Sequence, residues 1–293
     1  KQVTYNDVLR FNHRIGLALI ENRDVRLAES DIDFLLAVHP RLAYGDFIQR
    51  TFSGVYFTDD ENVLLDRLSV NLAAFACPFK QALASFAVFQ AAIAKRPYNL
   101  FHRANLYMRL AEVRRTFGNK ATWDRPMEDH VRAFAMEGNG AVFDNGQPCR
   151  AVCADAVEIE PGFDLVYIDP PYVNASGVGV EYREFYHFLE GIVRYEEWAT
   201  LIDATLKHRP LARVADPWGR AETIGDCFAR LFDRFRGSIL AVSYRSNGIP
   251  TVEALEAMLL ARKRHVVCHA RAEQPYALST DRATREVLLV GWD

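Results

Sequence analysis

Cysteine is scarce in this chain. The five present (Cys77, Cys149, Cys153, Cys227 and Cys268) are an odd number with no tight pairing pattern. A disulfide framework is therefore not expected, and reduced thiols in a cytoplasm are. Cys149 and Cys153 are spaced like metal ligands but have no second pair and no nearby histidine, so no metal site is expected. Charge of one sign is lacking as well. The 35 Lys and Arg nearly balance 38 Asp and Glu, for a formal charge of −3. That total argues for no particular partner, although a local basic patch can hide beneath it. Long apolar runs are absent. The most apolar region, residues 68–94, is interrupted by Asn71, Pro78, Lys80 and Gln81, so it reads as buried helices and not as a membrane span. No signal peptide is expected, and the sequence shows no internal repeat and no low-complexity linker. An initiating methionine is missing too. The chain opens on "KQVTYND", in mid-strand, and residues upstream of it are expected.

What is present is ordinary globular composition over 293 residues, half hydrophobic and a quarter charged. Residues 2–5 read as a strand, with a helix after them to about Ile20. "SDIDFLLAVH" carries a cap signature in Ser30 and Asp33, and "TDDENVLLDRLSVNLAAF" carries capping-box spacing in Thr58 and Glu61. Pro78 marks a break before a helix over residues 80–94, and an arginine-rich helical pattern runs from Asn99 to about Arg115. Asn145-Gly146 favours a tight hairpin turn between two short strands. "DLVYID" is a strand apolar on both faces, as inside a parallel sheet. Helices are expected over residues 195–207 and 220–235, a buried strand at "SILAVSY", and a helix after Pro250. "HVVCHA" and "REVLLVGW" close the chain as strands joined by a loop alone, which allows antiparallel pairing.

This alternation predicts an α/β fold with a doubly wound, mostly parallel sheet. More than a hundred residues separate the first strand from the next, where a crossover needs about 30. A mainly helical domain is therefore expected inside a sheet-bearing core. The boundaries are residues 1–22 and 148–293 for the core, and 23–147 for the insertion with its terminal hairpin.

The chemistry concentrates at "DLVYIDPPYV", residues 164–173. Open α/β sheets bind ligands beyond the carboxyl ends of their strands, and "DPPY" falls there. An exocyclic amine of a nucleobase is a poor nucleophile because its lone pair is delocalised into the ring. Acceptors around its N–H groups localise that pair and stabilise the positive charge of alkylation. Asp169 offers one acceptor and the Pro170 carbonyl another, while Pro170 and Pro171 fix the backbone. Tyr172 offers a flat face for a base taken out of the duplex.

With these residues in place the chain resembles the adenine-N6 DNA methyltransferases, in the group with the target-recognition region inserted ahead of "DPPY". The further matching pieces are "VTYND", "YFTDDENVLLD", "KRPYNLFHRANL", "CADAVEIEPGFD", "FYHFLEG" and "LAVSYRSNGIP". The resemblance implies a Rossmann-like methyltransferase core, S-adenosylmethionine as methyl donor and double-stranded DNA as substrate. It also implies a restriction–modification setting with a partner endonuclease. It assigns Asp7, with Asn6 beside it, to the donor's ribose hydroxyls, and Asp155, with Ala156, to the donor's adenine; Asp169 borders the same site. The family's aromatic-x-Gly-x-Gly donor loop is expected upstream of Lys1, since "GVGV" at 177–180 follows the wrong strand.

Residues 95–132 hold nine Lys or Arg against four Asp or Glu, with Tyr98, Phe101, Tyr107, Phe117 and Trp123 interleaved. Lys95, Arg96, Arg103 and Arg109 are the first candidates for phosphate contacts, with Arg114 and Arg115 behind them. His102 and His187 read as packing or hydrogen-bonding residues, and Phe185 or Tyr186 as a cover for the base's second face. Two other functions fit parts of the pattern. One is an RNA adenine methyltransferase; the other is a non-catalytic DNA-binding subunit that keeps the fold.

Overall fold

The computed structural model describes residues 1–112, 120–174, 177, 179, 182–270 and 284–293. They divide into two units, Lys1–Ala154 with Arg183–Ala212, and Asp155–Tyr182 with Arg213–Asp293. Among the described residues no helix is long and apolar enough to cross a membrane.

The first unit begins with β1 (Thr4–Asn6), then α1 (Arg10–Gly16), which continues as a wider turn over Leu17–Glu21. There follow α2 (Glu29–Leu36), α3 (Phe47–Phe52), α4 (Asp59–Ala73), α5 (Pro78–Ala94), α6 (Leu106–Leu110), α7 (Lys120–Asp124) and α8 (Met127–Ala141). β2 (Arg150–Val152) then pairs in parallel with β1, Tyr5 opposite Ala151. All of α2 to α8 thus lies in the chain between two strands that are neighbours in space. The short helices α9 (Tyr182–Phe185), α10 (His187–Val193) and α11 (Trp198–Leu201) come later in sequence.

α5 starts at Pro78, whose missing N–H costs nothing in a first turn. Its residues from Ala82 to Phe89 are all buried, and its alanines let α8 approach closely. Gly138 of α8 faces Phe86 and Leu83, where an added Cβ would lie 3.1 Å from Phe86. The start of α4 follows its sequence signature. Thr58 Oγ1 accepts from Glu61 N at 3.3 Å, and Glu61 Oε2 accepts from Thr58 N at 3.0 Å. The same carboxylate takes Lys95 Nζ at 2.8 Å and both Arg109 Nη atoms at 2.7 and 2.8 Å. One acid therefore fixes the start of α4, the end of α5 and α6 together.

The second unit is built on a four-stranded sheet of order β3-β5-β8-β7: β3 (Leu165–Ile168), β5 (Ile239–Arg245), β7 (His265–Ala270) and β8 (Glu286–Trp292). A separate two-residue ladder joins β4 (Val173–Asn174) to β6 (Gly248–Ile249). β3 and β5 are parallel, and β8 runs antiparallel to both β5 and β7. α12 (Ile224–Arg234) links β3 to β5, and α13 (Val252–Leu260) precedes β7. Both helices bury their apolar side chains with Ile168, Leu240, Val242 and Leu289. Alternation along the strands leaves Leu165, Tyr167 and Ile239 exposed on the other face.

The fold is mixed α/β as expected, but several local readings change. In the described sheet only the β3–β5 step is parallel, and α12 and α13 share one core. "DLVYID" is an end strand with Leu165 and Tyr167 exposed, not a strand covered on both faces. The hairpin at Asn145-Gly146 is absent. α8 runs through Ala141, side chains of Asp144 and Asn145 cap their own turn (Gly146 N and Gln147 N at 2.8 Å), and β2 goes to β1 instead. α2 begins one residue before Ser30, with Asp31 Oδ2 accepting from Ala28 N at 2.7 Å, so Ser30 lies inside the first turn. The helix expected over residues 195–207 shrinks to α11. The pattern from Asn99 to Arg115 holds only α6; Arg114, Arg115 and Phe117 lie outside the described residues.

Burial pushes the Glu61 carboxyl up, but Arg109, then Lys95 and the Thr58 N–H, outweigh it and hold its pKa below the ordinary value. A depressed carboxyl contributes stability above its unfolded pKa, about 4.3, and loses it as pH falls through the folded value. Glu61→Ala strands two buried cations and is expected to cost about 3–5 kcal/mol in urea unfolding near pH 7. That deficit relative to the wild type is expected to narrow below about pH 4.

Candidate functional site

β3 ends because its sequence forbids continuation. The ladder with β5 runs through Ile168 opposite Val242, and Pro170 and Pro171 then have no N–H to offer. The chain turns, and Val173 and Asn174 pair with Ile249 and Gly248, just past the end of β5. Two strand tips are in this way tied by one short ladder. Asp169 sits on the turn and is exposed, while Pro170 and Tyr172 after it are buried.

The Tyr172 hydroxyl donates to Asp169 Oδ1 at 2.8 Å, and Oδ2 has no partner among the described residues. The Tyr172 ring is 9% exposed and meets Tyr244 edge-on at 5.7 Å. Tyr244 is itself backed by Phe228, and its hydroxyl donates to Ile249 O at 2.6 Å. Gly248 lies against the Tyr244 ring so closely that a Cβ would come within 2.5 Å of it. The open flat face expected of Tyr172 is thus turned into the core, and what it directs at Asp169 is its hydroxyl. Tyr244 and Gly248 were not singled out by sequence reasoning, although "LAVSYRSNGIP" containing them was.

The residues expected on the donor side belong to different units. Asn6 and Asp7, in the first, end β1; Asn6 Oδ1 accepts from Ala154 N at 3.2 Å. Asp7 accepts from Leu9 N and Asn12 Nδ2, both at 2.8 Å, and from the Tyr5 hydroxyl at 3.4 Å. Burial lifts its pKa even against those donors. Asp155, in the second unit, is exposed, and Oδ1 caps the short turn beginning at Ala156 by accepting from Val157 N at 3.1 Å. That turn is pinned to α12 by Arg234 Nε, which donates to Ile159 O at 2.9 Å. The second oxygen of Asp155 suits an amine donor such as the adenine of S-adenosylmethionine. Asp7 fits a ribose less well as placed, because two hydroxyls would compete with Asn12 and Tyr5.

The basic stretch is corrected more sharply. Lys95, Arg96 and Arg109 are only 3%, 1% and 5% exposed, so they are not phosphate contacts. Lys95 and Arg109 hold Glu61, as described above. Arg96 lies 4.2 Å over the Tyr56 ring and donates to Leu100 O and Arg103 O at 3.1 and 3.0 Å. Burial lowers its pKa to about 9. These bonds clamp a loop in which Tyr98 and Asn99 adopt left-handed backbone (φ 65° and 59°), and that loop presents Arg103, Tyr98 and the nearby Tyr107 to solvent. Lys120 and Arg132 pair with Asp124 and with Glu29 and Asp33. Four of the nine cations are therefore held by acids of this unit.

His187 is fully buried. Its Nε2 lies 2.8 Å from the Tyr56 hydroxyl, and burial lowers its pKa to about 3, so the ring is neutral. Tyr186 packs on Phe11 at 5.4 Å, and Phe185 accepts from Phe101 N at 2.9 Å. Among the described residues no cluster of three or more His, Cys, Asp or Glu could hold a metal.

No family model matches the chain, and no solved structure matches it. It is similar to the Type II methyltransferase M2.HphI of Haemophilus parahaemolyticus, at 30% identity over 204 residues. The aligned stretch is 67% of this chain and 58% of that protein, so the chain spans a little over half the length of the curated relative it matches.

Gly248→Ala should force Tyr244 or β6 to move. An overpacking cost of about 1–3 kcal/mol is expected in thermal or urea unfolding, whereas alanine at Gly140 of α8, where a Cβ meets nothing within 4 Å, should cost nothing.

Proposed function

We propose that this chain is a DNA methyltransferase that moves a methyl group from S-adenosylmethionine to N6 of an adenine turned out of duplex DNA. It would act in a bacterial cytoplasm, in a restriction–modification system with a partner endonuclease. The observation that carries the reading is the exposed Asp169 at the tip of β3, with one oxygen held by Tyr172 and the other unengaged. The similarity to a Type II methyltransferase supports the reaction class. An acid at this position, where cytosine enzymes of the fold tend to carry serine, favours adenine.

Bound S-adenosylmethionine supplies an electrophilic methyl carbon on a sulfonium sulfur. The chain's own part is to hold the nucleophile. Asp169 Oδ2 and the Pro170 carbonyl accept the two N–H groups of the amine, localise its lone pair and stabilise the charge that develops on nitrogen. No strong general base is required, because the acceptor loses its proton after transfer. Residues 1–22 and 148–293 are proposed as the catalytic core, with Asn6, Asp7, Asp155 and Ala156 on the donor side. Residues 23–147 are proposed as the target-recognition region. Arg103, with Tyr98 and Tyr107, replaces the buried cations as the group proposed to meet DNA.

The test is incorporation of labelled methyl from S-adenosylmethionine into duplex DNA by the full-length protein, with the modified base identified by mass spectrometry. N6-methyladenine is expected, and Asp169→Ala should reduce the rate at least about a hundredfold. A methylated cytosine would overturn the adenine assignment; DNA binding with no transfer would favour a non-catalytic subunit; preference for an RNA stem would favour the RNA enzyme. Arg103→Ala should weaken DNA binding and flatten the plot of log affinity against log salt by about one unit of slope.

A further inference from the structure

Asp169 is exposed on a turn, and an aspartate there has two free side-chain torsions. Left alone, its oxygens would sweep over several ångströms, which is poor positioning for an acceptor whose worth depends on where it points. The structure removes that freedom through a neighbour. Tyr172 Oη sits 2.8 Å from Asp169 Oδ1. The tyrosine is in turn held on every side that the described residues supply. Its ring lies edge-to-face on Tyr244, and Tyr244 lies on Phe228. The backbone that follows Tyr172 is paired with β6, and β6 is fixed to Tyr244 by the hydroxyl bond to Ile249 O and by the close seat of Gly248. A rigid column therefore runs from the core of the unit to one oxygen of an exposed carboxylate.

We infer that Tyr172 is a positioning residue, whose hydroxyl holds Asp169 so that its second oxygen receives an N–H of the target amine. This rests on the methyl-transfer reading of the same site and gives the tyrosine a different part from that of a stacking platform.

The hydroxyl and the ring are separable by mutation. Tyr172→Phe keeps the ring, its packing on Tyr244 and any stacking, and removes the hydroxyl that bonds Asp169. In the full-length protein it is expected to lower kcat about tenfold, the size of one lost hydrogen bond to a charged group. KM for duplex DNA should stay within about twofold, and the melting temperature within about 2 °C. Fluorescence of 2-aminopurine placed at the target position should rise on binding as it does with the wild type, since base extrusion does not use the hydroxyl. Tyr172→Ala, which loses ring and hydroxyl together, should lose both signals. Wild-type kcat in Tyr172→Phe would overturn the inference and return the residue to a ring role. A faster Tyr172→Phe would also overturn it, and would make the bond a restraint that the substrate must break. A tenfold fall in KM-limited rate with unchanged kcat would count against it as well. If the wild-type protein transfers no methyl group to any adenine-bearing duplex, the parent reading fails and this inference falls with it.

Discussion

One buried carboxylate organises the helical unit. Glu61 closes the capping box of α4 with its own backbone neighbours, then turns both oxygens to Lys95 and Arg109. Two cations out of water need a counter-charge in place, and their stems come from the end of α5 and from α6. Lys95 also donates to the carbonyls of Trp123 and Arg125, so the chain around α7 is drawn into the same knot. Arg96, next in sequence to Lys95, has no carboxylate partner among the described residues. Its Nε and one Nη donate to carbonyls of the loop it clamps, and the guanidinium lies over the face of Tyr56. The exposed positions of that loop are set by residues that never reach the surface.

What could be read from the sequence divides along the range of the interactions. The start of α4 was legible because Thr58 and Glu61 meet across three residues. The end of β3 was legible because Pro170 and Pro171 carry their own prohibition. The Asn145-Gly146 turn was half legible: the local chemistry makes a turn, but the strand after it finds its partner at residues 4–6, far back in the chain. Lys95, Arg96 and Arg109 were misread for a related reason. A count of charges along a segment cannot register that the balancing acid, Glu61, stands more than thirty residues upstream. The Tyr172–Asp169 bond was within reach of spacing alone, yet the direction of the ring depends on Tyr244 and Gly248, which lie some seventy residues further on.

The second unit shows a division of labour between shape and chemistry. Side chains that face α12 and α13 are apolar and buried, and they fix where the tips of β3 and β5 end. The exposed Asp169 carboxylate lies outside this packing and is tied to it by the Tyr172 hydroxyl. Substitutions among Phe228, Tyr244 and Gly248 would therefore reach Asp169 without touching it.

The order of strands has a consequence for how this unit comes into being. β5 and β7 do not pair with each other; they are joined through β8, the last of the described strands to be made. Until β8 arrives the sheet consists of one parallel pair and an unattached strand, so its growth cannot follow synthesis. Pairing across more than forty residues carries a loop-closure cost that no earlier contact offsets. The sheet that backs the tips carrying Asp169 and Gly248 is thus completed only in a late step, and a nascent chain halted before β8 holds "DPPY" on an unfinished sheet.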